Sequence, residues 1–215
     1  MNNPNNPFID ITFPVSARLP KWPGSVGFTY QWHLKMQDGA TNNLSSISTD
    51  SHFGTHLDAP LHFVHQGKAL HEIPLHKLIG KAYVAEIRGI KSIGPAQLDT
   101  INLPADCRML LLKTDNQVYW QNNLETFQED FCSINKEGAQ WVVDKGFDLI
   151  GIDYLSIQRF KDGPETHQIL LNAEVIIVET LNLLDVNEGV YELICLPLNI
   201  IDLEASPVRA VLRKL

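Results

Sequence analysis

Six of the eight histidines in this 215-residue chain, His52, His56, His62, His65, His71 and His76, fall within 25 residues. The densest part reads Ser51-His52-Phe53-Gly54-Thr55-His56-Leu57-Asp58-Ala59-Pro60-Leu61-His62-Phe63, a spacing of H-x3-H-x-D-x3-H. Gly54 and Pro60 lie inside it and disfavour a helical pair of metal-binding histidines. In an extended segment His56 and Asp58, two residues apart, point to one side. Turns at Gly54 and Pro60 would let His52 and His62 converge on the same point. Imidazole nitrogen and carboxylate oxygen without sulfur suit Zn, Mn, Fe or Co better than Ca or Mg. Three such ligands with an open position are what a catalytic metal needs to activate water. The competing reading is a set of hydrogen-bonded histidines in a polar loop. His65, His71 and His76 sit beside apolar residues in what reads as a loop and a short helix, and His33 lies in an alternating strand. These four read as structural.

The elements that must position such a site follow from periodicity. Residues 28–38 and 44–50 alternate as strands do. Short apolar runs at 82–87, 109–112, 149–152, 175–178 and 193–196 have the pattern of buried strands. Helical stretches are predicted at 136–145 and 164–172, the second opening on a proline suited to a first helical turn. The result is a mixed α/β domain with a large, partly closed sheet and few helices. It is a single domain over residues 8–215, preceded by a polar Asn/Pro tail, residues 1–7, that is not expected to order by itself. The glycines are dispersed, so no phosphate-cradling loop of the Rossmann or Walker type is present.

Three further residues have local readings of their own. Trp22, held between Pro20 and Pro23 in a Pro/Gly-rich loop, reads locally as a hydrophobic plug over the core. His167 shares a helix face with Leu170 and Leu171, which by itself favours a core histidine. Glu179 closes the buried run 175–178, and a carboxylate there needs a partner, either a metal or an arginine.

Composition excludes several classes of function. Seventeen Lys and Arg against 25 Asp and Glu leave a net charge of −8, and no basic stripe marks a nucleic-acid interface. The alternating cations from Arg209 to Lys214 read as a solvated strand face. Three scattered cysteines, Cys107, Cys132 and Cys195, suggest neither a disulfide framework nor a thiolate zinc site, and fit a reducing cytoplasm. No segment has the length and apolarity of a membrane span or a secretory leader. A chain of this size buries roughly 70% of its unfolded surface, so a metal is not needed for folding and would be functional.

The GTHxDAPxH core of the histidine segment resembles that of the cyclase-family metal hydrolases, a group that includes bacterial kynurenine formamidase and isatin hydrolase. The resemblance extends to the Leu19-Pro20-Lys21-Trp22-Pro23-Gly24 loop, Gly151-Ile152-Asp153-Tyr154-Leu155-Ser156, the helix of His167, the strand ending at Glu179, and the closing Leu196-Pro197-Leu198 and Ala205-Ser206-Pro207-Val208-Arg209. It implies a swivelling β/β/α domain and a homo-oligomer, commonly a dimer or tetramer. His52, His56 and Asp58 match the ligands of a first divalent ion, Zn or Mn, while Asp58, His167 and Glu179 match those of a second, giving one or two ions per subunit. His62 matches the acid/base histidine, and Trp22 the aromatic against the substrate. The sequence departs from the formamidase pattern at Ser25-Val26-Gly27-Phe28 and at Phe160 to Thr166, segments on the substrate side in that family.

The activity implied is hydrolysis of a small-molecule C–N amide, an aryl formamide of the N-formylkynurenine type. A cyclic amide such as isatin, or a non-catalytic metal- or ligand-binding role on the same scaffold, is the alternative.

Overall fold

The computed structural model describes residues 7–215. The expected tail lies outside the described residues except for Pro7, whose carbonyl accepts a hydrogen bond from the Lys214 amide at 3.1 Å. Twelve strands run in chain order: β1 Phe8–Asp10, β2 Phe28–Leu34, β3 Leu44–Thr49, β4 His56–Asp58, β5 Ile79–Glu86, β6 Ser92–Ile93, β7 Met109–Lys113, β8 Ser133–Ile134, β9 Leu149–Ile152, β10 Ile176–Glu179, β11 Gly189–Pro197 and β12 Ala205–Lys214. The α-helices are α1 Pro95–Leu98, α2 Gln117–Gln121, α3 Lys136–Asp144 and α4 Glu165–Asn172.

The main sheet is ordered β1-β12-β11-β5-β7-β9-β10-β4, and β4 pairs again with β12. Seven strands therefore form a closed ring, with β1 as an eighth alongside β12. The sequence predicts only a partly closed sheet. The difference lies in β12, whose Ala205–Pro207 portion pairs with β4 while its later residues pair with β1 and β11. Strands β5, β7, β9 and β10 run parallel to one another. They are the short apolar runs of the sequence because both of their faces are covered. In β7, Met109 and Leu111 face the ring interior with Leu149, Val178 and Leu193, whereas Leu110 and Leu112 pack outward with Trp141, Val142, Leu170 and Leu171 of α3 and α4.

Strand β12 instead alternates, with Ala210 and Leu212 inside and Arg209 and Arg213 in solvent, as its sequence predicts. Helix α3 starts where Asn135 accepts a hydrogen bond from the Gly138 amide at 2.8 Å, an N-cap. Asp153, just beyond β9, is fully buried and accepts hydrogen bonds from the Thr114 amide and hydroxyl, both at 2.7 Å, and from Asn116 at 3.3 Å. Its segment leads directly into the site. Among the described residues the β2–β3 hairpin pairs with no other strand and is exposed along nearly its whole length, touching the site segment at its base through Phe28 on Phe53.

Candidate active site

The three-residue strand β4 closes the ring and carries the heart of the site. His56 and Asp58 share one face while Leu57, between them, fills the ring interior. Glu179 of β10 is the register partner of His56, so two chain segments over 120 residues apart present their polar side chains on the same outer face. Preceding β4, Gly54 turns the chain at φ +73°, a conformation that favours glycine. After it, Pro60–His62 forms a single 3-10 turn. These two turns bring His52 and His62 back to the site, with ring centroids 4.1 Å apart. Helix α4 brings His167 to the same point from the covering layer.

The distances define one cluster. His52 Nδ1 lies 2.9 Å and His56 Nε2 3.5 Å from Asp58 Oδ1. His56 Nε2 is 3.4 Å from Glu179 Oε2, and His167 Nε2 is 3.3 Å from Glu179 Oε1 and 3.9 Å from Asp58 Oδ2. Donor atoms of His52, His56 and Asp58 lie within 4.8 Å of one another, as do those of Asp58, His62 and His167. The geometry thus brings together all six site residues that the sequence and its resemblance single out around the cluster. Trp22 lies on the wall of the adjoining cavity, edge-on to Phe127 and Phe160 at 5.0 and 5.3 Å. It is 38% exposed, and the two rings it meets pack in turn against the buried cluster of Phe13, Trp120, Phe131 and Tyr154. His33, His65, His71 and His76 are exposed and stand outside the site.

Whether a cation belongs here can be tested on the polar atoms. His56 Nε2 and both oxygens of Asp58 are buried without a well-aligned hydrogen bond, although His52 Nδ1 stands 2.9 Å from Asp58 Oδ1. A buried carboxylate left in that state costs several kcal/mol, and a divalent cation held by these residues would offset that cost. The histidines are oriented to leave such lone pairs free. His56 Nδ1 is 2.8 Å from the Gly54 carbonyl, which only accepts, so the proton sits on Nδ1 and Nε2 faces the cluster. His167 Nδ1 is likewise held by Gln158 Oε1 at 3.2 Å, and that oxygen also accepts from the His167 amide.

The electrostatics point the same way. Burial opposes a charged His52, but Asp58, Glu179 and Glu204 outweigh it and push its pKa up to about 9. Burial opposes a charged His56 as well, and Glu179 and Asp58 again raise it. Burial favours the protonated form of Asp58, yet His52, His56 and His62 hold its carboxyl well below the usual range. The carboxylates therefore call for positive charge at the cluster, which protons or a divalent ion supply. His62 differs. Burial lowers its pKa, His52 and His167 add to that, and Asp58 and Glu179 only partly offset them, so its imidazole is neutral at pH 7. The three thiols are displaced upward, Cys132 and Cys195 to about 12 by burial, and offer no nucleophile.

Several supporting groups are not marked by the histidine motif. Glu204 stands 3.3 Å from His52 Nε2 and accepts the Ser51 hydroxyl at 2.6 Å. The Ile157 amide donates to Glu179 Oε1 at 2.7 Å. Gln158 lies nine residues before His167, with no spacing rule that would single it out. The weak signal for Glu204 is its position just before Ala205-Ser206-Pro207, the segment paired with β4.

The cluster forms the floor of a cavity of about 620 Å³, walled by Trp22, Phe53, Phe63 and Phe160. A closed α/β ring bearing a His/Asp/Glu cluster without sulfur at such a floor defines a hydrolase-type divalent-metal site. Residues 9–159 match the family model named Cyclase, and this chain belongs to the cyclase family. It is 36% identical to a kynurenine formamidase of Geobacillus thermodenitrificans over 212 residues, covering 98% of this chain and 99% of that one. Among solved structures it is similar to a predicted metal-dependent hydrolase from Bacillus stearothermophilus, with 29% identity, a TM-score of 0.81, and 95% and 97% of the two chains covered. Isatin hydrolase A from Ralstonia solanacearum shares the fold at 18% identity, with a TM-score of 0.82 and 95% and 90% coverage. Among the described residues no helix is long and apolar enough to cross a membrane.

Proposed function

We propose that this protein is a metal-dependent hydrolase of a small-molecule C–N amide bond, with an aryl formamide as substrate. The observation that carries the reading is the trio of buried atoms without a well-aligned hydrogen bond, His56 Nε2 and both Asp58 oxygens, on the floor of an aromatic-walled cavity. The kinship to kynurenine formamidase directs it to a formamide. A cyclic amide of the isatin type is the second reading, favoured by Ser25 and the Phe160–Asp162 stretch. These line the cavity with residues that depart from the formamidase pattern.

In this reading His52, His56 and Asp58 would hold one divalent ion, Zn or Mn. Asp58, His167 and Glu179 form the place for a second, with Asp58 common to both sets. Such an ion lowers the pKa of water from about 15.7 towards about 7 and polarises the amide carbonyl. His62, neutral at pH 7, takes a proton from the attacking water and returns it to the leaving nitrogen. Trp22 and Phe160 flank the aryl group and exclude water from it. Glu204 and Gln158 orient His52 and His167.

The chain is proposed to assemble as a homo-oligomer, supported by the β2–β3 hairpin. That hairpin exposes Tyr30, Trp32, Leu34, Leu44 and Ile47, and a two-stranded ribbon with no cover is marginal by itself. Three cysteines without disulfides support a reducing cytoplasmic location.

The test is a metal-reconstituted assay of N-formylkynurenine, isatin and simple cyclic imides in parallel. Turnover of the formamide well above the others is expected. Absence of formamide turnover by metal-loaded protein overturns the formamidase reading, and turnover of isatin alone selects the second one.

A further inference from the structure

We infer that Lys21 selects the substrate by receiving a carboxylate carried on the aryl formamide. Lys21 precedes Trp22 in the loop at the cavity wall, and both residues line the cavity. Two other cations line the same mouth, but both have partners: Arg159 lies 3.8 Å from Asp130 and Lys161 lies 2.6 Å from Glu129. Lys21 makes no hydrogen bond or ion pair with any described residue. The nearby Asp50 is already engaged by the Ser25 hydroxyl and by the Gly27 amide at 3.2 Å. Asp162 also lines the mouth without an ion-pair partner, and of the three cations there Lys21 is the one left to receive a carboxylate.

The position of Lys21 is built into the loop. Gly27 has φ +76°, and a Cβ there would come within 3.1 Å of Lys21 Cδ and 3.7 Å of its Nζ. The lysine stem therefore lies across a residue with no side chain, within the same Ser25-Val26-Gly27 stretch that departs from the formamidase pattern. In a chain of net charge −8, a free ammonium beside an aromatic wall provides local attraction for an anion that the overall field repels. An aryl ring against Trp22 with a carboxylate on Lys21 would be oriented by both.

This inference rests on the hydrolase reading above, and its test separates the two. Ortho-, meta- and para-formamidobenzoate are each compared with the corresponding neutral carboxamide, in metal-loaded wild type, Lys21→Met and Lys21→Arg. Wild type is expected to prefer at least one carboxylate, with Lys21→Met lowering that preference about five- to tenfold through KM, and Lys21→Arg restoring most of it. A preference unchanged by Lys21→Met overturns the inference, as does equal use of acid and amide by wild type. Calorimetric binding of benzoate and benzamide to the same metal-loaded proteins gives a readout without turnover. If no formamide is hydrolysed, the hydrolase reading fails, while weaker benzoate binding by Lys21→Met alone still supports the carboxylate site, and equal binding removes it.

Discussion

Asp153 offers the sharpest test of the forces that hold the site in shape. Burial pushes its carboxyl up to about 6 from an ordinary 3.8, and the hydrogen bonds from Thr114 and Asn116 offset only part of that cost. Because the folded-state value is raised, the contribution of this group to stability is fully present below about pH 3.8 and is lost as pH rises through about 6. A shift of about two pH units corresponds to about 3 kcal/mol, the cost of keeping Asp153 ionised inside the fold at neutral pH. Asp153→Asn removes the titration. Its amide oxygen can accept the Thr114 N–H, but its amino group then faces the Asn116 side-chain amide, which donated to Asp153, so the variant carries a pH-independent cost that adds a constant offset.

The measurement is urea unfolding of both proteins at intervals from pH 4 to pH 7.5. The quantity of interest is the stability difference between variant and wild type, which cancels titrations common to both. That difference should move by about 2.4 kcal/mol in favour of the variant across the interval. A difference flat with pH would show that Asp153 ionises in the fold as easily as in the unfolded chain, and the argument from its burial would be wrong. The site is expected to feel little of this. Asp153 anchors the segment from which the Tyr154 carbonyl accepts the Thr180 amide at 2.7 Å and the Ile157 amide reaches Glu179, and Asn keeps the Thr114 amide bond of that anchor.

Four other outcomes are expected. His62→Asn should retain bound metal by elemental analysis yet lose about a hundred- to ten-thousandfold in kcat, and near-normal turnover would sink its acid/base role. Asp58→Ala should lose both metal and activity, because that carboxylate faces His52, His56 and His167 together; a fully metallated variant would contradict the shared-ligand assignment. Gln158→Leu removes the acceptor that holds His167 Nδ1 and should weaken metal affinity about ten- to a hundredfold in a chelator competition, with unchanged affinity counting against it. Trp32→Glu on the exposed hairpin should shift sedimentation towards a smaller species while metal binding persists, and an unaltered assembly would remove the hairpin from the interface.

Part of the site was legible because local geometry governs it. A strand alternates its side chains every second residue, so His56-x-Asp58 had to present both groups to one side wherever β4 came to lie. Gly54 and Pro60 announced the turns that return His52 and His62. The parallel strands were legible because elements covered on both faces can carry almost no polar residue. The local sequence of Trp22 does not show that the residue also lines the cavity, because that depends on Phe127 and Phe160, far away in the chain.

The sequence by itself determined the donor types, their spacing on β4 and the apolar runs of the parallel strands, since all three follow from backbone period and side-chain chemistry. Only the tertiary structure decided which distant groups meet them. Glu179 reaches His56 because β10 and β4 are in register, Glu204 reaches His52 because β12 returns to close the ring, and His167 turns a helix face that reads as core toward the cluster. Each of these depends on hydrogen-bond register and layer packing between segments far apart in the chain. Such pairings leave no periodic trace in either segment alone, which is why the closed ring and the supporting Glu204 and Gln158 emerge only from the assembled fold, while His167 and Glu179 were reached through the family resemblance and not through local pattern.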